Sequence, residues 1–165
     1  MKTMRALFLV LFVFFVVSAA GAAGDLPAKV IRVIDGDTVE ARLADTGIIE
    51  RIRIIGLDTP ELHHPRKPVE YYAQEAKERA ELLLLGKSIK LRLDETNTVK
   101  GHRGRYRRLL AHVIFSQGAY FAESMILEGY AHAYLKYPFD PALMERFRDA
   151  EKQARQSGRG LWKQR

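Results

Sequence analysis

Cysteine is absent from the 165 residues, and that absence removes several chemistries together. There can be no disulfide, no cysteine nucleophile, no thiolate zinc site and no lipoprotein anchor on cysteine. Stability must come from packing. Spacing of the HExxH type is missing as well, and the adjacent His63 and His64 would point apart, which argues against zinc. No internal repeat, low-complexity tract or second linker follows Gly24. Acidic side chains are the scarcer charge, 20 against 27 basic ones, giving a formal net charge of +7. Such a surface suits polyanions such as nucleic acid or anionic lipid, without choosing between them.

The one long hydrophobic run lies at the start, in "MKTMRALFLVLFVFFVVSAAGAAG". Lys2 and Arg5 precede an apolar stretch over 6–17, and small residues follow around Ala20, Ala22 and Ala23. This is the layout of a secretory signal peptide over 1–23, with a domain over 24–165. The alternative is an uncleaved membrane anchor, which would leave the basic face to lipid headgroups. Cleavage would remove two cations and lower the net charge of +7 to +5. It would also place the protein in the periplasm or outside the cell, without stable membrane association, where calcium is available.

After Gly24 the pattern first alternates as strands do, over 29–34, 37–43 and 48–55, with Asp45-Thr46-Gly47 turning between the last two. Apolar residues at helical spacing follow over 69–85, closed by Gly86. Residues 87–93 and 107–115 read as further strands, separated by the basic loop "DETNTVKGHRGRY". A turn over 116–119 leads to a short helix over 122–127 that Gly129 ends. Asp140 caps a last helix with Pro141 in its first turn, running to about Gln156. Leu143, Met144, Phe147, Ala150 and Ala154 form its core stripe, and Trp162 is expected to pin the C-terminus. His102, His112 and His132 read as structural or surface residues. Tyr130, Tyr134, Tyr137 and Phe139 read mostly as core or rim packing, with base stacking as the alternative. The pattern suggests a small Greek-key barrel, such as an OB-fold, decorated by helices.

Two stretches carry candidate chemistry. In "VIDGDTVEARL", Asp37 would share the apolar face of a strand with Val39, Ala41 and Leu43, leaving Thr38, Glu40 and Arg42 on the wet face. An acid there must be paired, hydrogen-bonded or bound to metal, although Asp35-Gly36-Asp37 also reads as a plain turn. In "RIIGLDTPE", Arg53 and Asp58 would point to opposite sides of a continuous strand. They converge only if the chain bends, and Gly56 is where a bend costs least. Pro60 ends the pairing and releases Glu61 close to Asp58. Solvated acids at a strand end remain the plain alternative. Together, though, these acids and arginines are the parts of a phosphodiesterase: carboxylates for a hard cation, arginines for a phosphate, and a carboxylate base for a water.

"VIDGDTV", "RIIGLDTPELHHPRKPVEYYAQEA", "RLLAHV" and "GRGLW" resemble, in this order, motifs of the staphylococcal nuclease (thermonuclease) family over nearly the whole chain after the N-terminal segment. The resemblance implies an α+β fold: a five-stranded OB-fold, Greek-key barrel with three helices, acting as a monomeric calcium-dependent nuclease on DNA and RNA that leaves 3′-phosphates. It implies that Asp37 and Asp58 bind calcium through their carboxylates and Thr59 through its carbonyl, with Asp35 in support. Glu61 would be the general base or orient the attacking water. Arg53 and Arg108 would neutralise the phosphate, and Arg108 would help protonate the leaving 5′-oxygen. Arg105, Tyr106 and Tyr134 would contact the nucleotide. One departure stands out: Gly104-Arg105-Tyr106-Arg107-Arg108 carries Arg107 where the family commonly has glycine. A turn needing positive φ would then be strained, or Arg107 would take the catalytic place; "RLLAHV" sets the register in favour of Arg108. A non-catalytic nucleic-acid-binding module of the same descent is the alternative, but such modules usually lose the acids and arginines kept here.

Overall fold

The structure, a computed structural model, describes residues 24–62 and 68–163. The expected signal segment and the His63-His64 pair with Pro65 lie outside the described residues. Five strands close into a barrel: β1 (Leu26–Asp35), β2 (Thr38–Leu43), β3 (Ile49–Ile54), β5 (Ser88–Arg92) and β6 (Leu109–Ile114), in the order β1-β2-β3-β6-β5. All neighbours are antiparallel except β3 and β6, which are parallel. A parallel neighbour needs a crossover, and the chain supplies it through α1 (Ala73–Leu84) and β5. Helices α2 (Phe121–Leu127) and α3 (Pro141–Gln156) complete the expected α+β barrel with three helices.

Alternation dictates the barrel interior. Val39, Ala41, Ile52, Ile54, Leu91, Ala111 and Val113 point inward and are buried. In β1 the phase changes: Ala28, Val30 and Val33 are buried, because the register with β2 slips between Val30 and Arg32. That bulge turns Arg32 outward although it shares parity with Val30. Helix α1 covers the barrel with Ala73, Ala76, Ala80 and Leu84, a stripe at helical spacing. Helix α3 buries Leu143, Phe147, Ala150 and Ala154, as its spacing requires, and Asp140 caps it through the amides of Ala142 and Leu143. At the C-terminus Leu161 donates its amide to the Gly129 carbonyl, and Arg155 stacks 4.1 Å from the Trp162 ring centre, which fixes the tail on the helices.

Several sequence expectations are corrected. Strand β2 begins at Thr38, so Asp37 belongs to the turn, and Thr38 is buried rather than on the wet face. The strand expected from 107 begins at Leu109, with Arg107 in a 3-10 turn (Arg105–Arg107). Helix α1 starts at Ala73 rather than 69, because Glu70 is drawn into the loop, its amide donating to the Glu61 carbonyl, and Tyr72 sits at φ 69°. Leu85, in extended conformation, caps α1, and Gly86 lies one residue beyond. A two-stranded ribbon, β4 (Leu57–Asp58) with β7 (His132–Ala133), has no counterpart in the sequence pattern, since two residues are too short to show a period.

One polar cluster is internal. Asp94 and His112 are both buried and lie 3.2 Å apart, Oδ2 to Nε2. Burial pushes the His112 imidazole below its ordinary value of 6.5, more than Asp94 raises it. For Asp94 burial pulls upward, but hydrogen bonds from the Thr96 hydroxyl, the Asp140 and Thr96 amides and His112 hold it below 3.8. In both cases the unfolded chain takes up its proton at a higher pH than the folded one. Stability is therefore expected to be full above about pH 6.5, to fall as His112 lags the unfolded imidazole, and to fall again below about pH 4 as Asp94 is protonated. Melting temperature measured across pH for the wild type and His112→Gln checks this; the variant should lose the upper step and keep the lower one.

Candidate active site

The turn between β1 and β2, the bend after β3 and the start of β6 meet at one end of the barrel. At the first, Gly36 is buried under Thr59: a Cβ there would lie 2.6 Å from Thr59 Cγ2. Only glycine lets the Asp35-Gly36-Asp37 turn close onto the Asp58-Thr59 segment. At the second, Gly56 takes φ 76° and turns the chain back. The bend resolves the parity conflict. Arg53 leaves β3 outward, and the loop brings the Leu57 carbonyl and the Asp58 carboxylate round to meet it.

Arg53 is the hub. Its Nη1 donates to the carbonyls of Ile54 at 2.9 Å and Leu57 at 2.6 Å. Its Nη2 lies 3.0 Å from Asp37 Oδ2 and 3.2 Å from Asp58 Oδ1. The side chains of Arg53 and Asp37 are only 16% and 14% exposed, so their pairing is shielded from solvent. Tyr134 lies with its ring centre 5.9 Å from the Arg53 guanidinium, positioned by the Tyr134 amide on the Gly56 carbonyl. Asp58 is half-exposed, yet its carboxyl titrates above the ordinary range. Desolvation is the main cause; Arg53 opposes it, and the Asp37 and Glu61 charges add to it.

Arg108 enters from the position just before β6. Its Nη1 lies 3.4 Å from Thr38 Oγ1, and that hydroxyl donates to Asp37 Oδ1 at 2.7 Å. Thr38 thereby links the second arginine to the first acid, a role that its place on a supposed wet face concealed. Burial, then the nearby Arg53 charge, lowers the proton affinity of Arg108. Its Nε is buried without a hydrogen-bond partner among the described residues. A donor held so, between cations, suits an anion with several acceptor oxygens.

Arg107 adopts φ 59°, next to Tyr106 at φ 62°, so the glycine-like conformation persists with arginine in it. The Arg107 side chain is exposed, and Arg108 is the one turned into the cluster. Tyr106 is 77% exposed, with its ring centre 5.2 Å from Arg105 and 5.9 Å from Arg108. Glu61 is exposed at the rim; its amide donates to Glu70 Oε2 at 3.0 Å while its carbonyl accepts from the Glu70 amide. Glu70 was not singled out by the sequence, and its clasp on Glu61 depends on a loop closure that no local pattern records. Thr59 is buried beside Gly36. Asp35 sits in the same turn, paired in register with Thr38.

Two arginines, two close carboxylates and a rim glutamate thus stand together, contributed by three separate elements. Residues 51–164 match the model of the family described as staphylococcal nuclease homologue. The chain belongs to that family. Among staphylococcal nuclease homologues it is similar to the thermonuclease of Staphylococcus hyicus, 36% identical over 141 residues that make up 85% of this chain and 78% of that protein. It is 31% identical to an uncharacterized endonuclease of Escherichia coli O157:H7 over 154 residues, 93% of this chain and 86% of that one. With endonuclease YncB of Bacillus subtilis it shares 29% over 131 residues, 79% and 59% of the two chains. Family membership and these relatives support a nuclease, a hydrolase of phosphodiester bonds, with nucleic acid as its substrate class.

Proposed function

We propose that the protein is a calcium-dependent nuclease that hydrolyses phosphodiester bonds of DNA and RNA and leaves 3′-phosphate ends. The observation that carries this reading is the buried, unpartnered Nε of Arg108 beside the Arg53 hub. A purely structural arginine at that depth would spend its donors on the protein.

The residues present fit a hard divalent cation. Among the described residues no three His, Asp or Glu side chains gather as a metal cage. Instead Asp37 and Asp58 would supply two carboxylates and the Thr59 carbonyl a neutral oxygen, with Asp35 in support. An oxygen set with open positions suits calcium, which takes carboxylates, carbonyls and waters together. When bound, calcium would polarise the phosphate and neutralise part of its charge.

The chain's own groups account for the rest. Arg53, anchored through Nη1 on two carbonyls and paired through Nη2 with Asp37 and Asp58, would supply positive charge to the phosphate beside those acids. Arg108 adds the second cation and hydrogen-bonds the leaving 5′-oxygen, which takes its proton from solvent water, the balance being restored when Glu61 releases its proton to solvent. Glu61, oriented by Glu70, takes the proton of the attacking water or aligns that water. The new P–O bond forms as the bond to the 5′-oxygen breaks, giving a 3′-phosphate and a 5′-hydroxyl. Tyr106, Tyr134 and Arg105 flank this centre as contacts for base and sugar. The apolar N-terminal segment supports export, with the protein working as a monomer in the periplasm or outside the cell.

The test is cleavage of single-stranded DNA, duplex DNA and RNA with calcium and with excess chelator, analysing the ends formed. Cleavage should require calcium and yield 3′-phosphates, and Glu61→Gln should lower kcat by about 10²-fold, the lower range for loss of a general base. A folded protein that binds but never cleaves, with calcium present, would instead be a binding module.

A further inference from the structure

Beyond Thr38 and Arg53, the outward face of β1, β2 and β3 has no part in the centre just described, yet strand register builds it directly onto that centre. Thr38 pairs with Arg53 in the row of the site. In the next row outward, Arg32 pairs with Glu40 and Glu40 with Arg51; in the row after, Lys29 pairs with Arg42. All four cations are exposed and only one acid stands among them. Glu40, 20% exposed, is shared by two arginines, at 3.1 Å from Arg51 Nη2 and 3.9 Å from Arg32 Nη1, whose side chains are 57% and 66% exposed. One carboxylate cannot neutralise both, so it orients them and leaves net positive charge. Arg51 also adds to the positive field at Arg108.

We infer that this face is a phosphate track: the backbone of a single-stranded polynucleotide runs from the cleavage centre along β3, with Arg51 and Arg32 receiving the next phosphate and Arg42 and Lys29 the one beyond. Rows on one face of a strand repeat every two residues, about 6.6 Å, comparable to the spacing of successive phosphates in an extended strand. The rows therefore hold successive phosphates of one extended strand in step. Exposed Ile49, beside Arg42 in register, offers apolar surface to a base without reading its identity. This inference rests on the nuclease reading only for the position of the first phosphate.

Binding of fluorescent oligothymidylates to the full protein in excess chelator separates the track from cleavage. Wild-type affinity should climb with length for about two phosphates beyond the centre and then flatten. Removing one phosphate contact lowers the slope of log K against log salt by about 0.7 for single strands. Arg32→Gln/Arg51→Gln and, separately, Lys29→Gln/Arg42→Gln should each lose about that much slope and roughly tenfold in affinity for a ten-nucleotide strand relative to a dinucleotide. Arg148→Gln/Lys152→Gln on α3, the matched loss of two exposed charges, should not change that ratio. Unchanged length dependence and slope in both double variants would overturn the track. So would equal losses on the dinucleotide, or losses confined to binding of anionic vesicles. A normal track with no cleavage after calcium is restored would uphold this inference and overturn the hydrolytic reading instead.

Discussion

Arg53→Ala is expected to lower kcat for DNA cleavage by on the order of 10³-fold, the cost of removing a preorganised donor from a site of developing charge. Three functions end with that side chain. The cation proposed to face the phosphate goes. The Ile54 and Leu57 carbonyls lose the donor that holds the bend, and Asp37 and Asp58 lose the charge between them. The catalytic loss should outweigh the structural one. Breaking a buried ion pair costs about 3–5 kcal/mol; the half-exposed Asp58 is screened by solvent and Asp37 keeps the Thr38 hydroxyl, which leaves the cost at the lower end, about 3 kcal/mol. Arg53→Lys should restore part of the stability and little of the rate, because an ammonium cannot span two carbonyls and two carboxylates as a planar fork does. Steady-state kinetics beside thermal melts decide it. If kcat and kcat/KM fall together at a temperature where the variant is still folded, Arg53 acts in the transition state. A rate that follows only the fraction folded would make it a structural residue.

Gly56→Ala is expected to destabilise the fold by about 3 kcal/mol, from two costs that add. An alanine at φ 76° pays roughly 1–2 kcal/mol for left-handed backbone. Its Cβ would lie 2.6 Å from Phe147 Cε2 and 2.8 Å from Phe139 Cζ, so two core rings must move, at about 1–3 kcal/mol for overpacking. For a domain of this size the melting temperature should fall by roughly 10 °C. Gly47→Ala provides the comparison. Gly47 has φ 70° with nothing within 4 Å of its Cβ position, so only the backbone cost applies. Equal losses in the two variants would show that the rings yield freely and that the packing of α3 on the bend contributes little.

Much of this was readable from local patterns. Strand alternation and the Asp140-Pro141 helix start have short periods or fixed offsets, so the barrel strands and α3 could be placed within a few residues. The need for a bend at Gly56 was readable too, since an arginine and an acid five residues apart in a strand cannot face each other without one. Boundaries failed where distant contacts intervene. Helix α1 lost its first turn because Glu70 bonds to Glu61 across a loop, and β2 lost Asp37 because Arg53 holds that carboxylate in the turn.

What the sequence determined by itself was the set of elements, the family and the chemical types at the site, because each depends on neighbours along the chain. Tertiary structure decided which of those residues meet. Closing the barrel set Thr38 between Asp37 and Arg108, seventy residues apart in the latter pairing. It turned Arg108 rather than Arg107 into the cluster. The slip between Val30 and Arg32 set Arg32 beside Glu40, against the parity of its own strand. These are long-range pairings fixed by register and closure, and a one-residue shift in either would leave the local sequence signals unchanged while sending every such side chain to the other face.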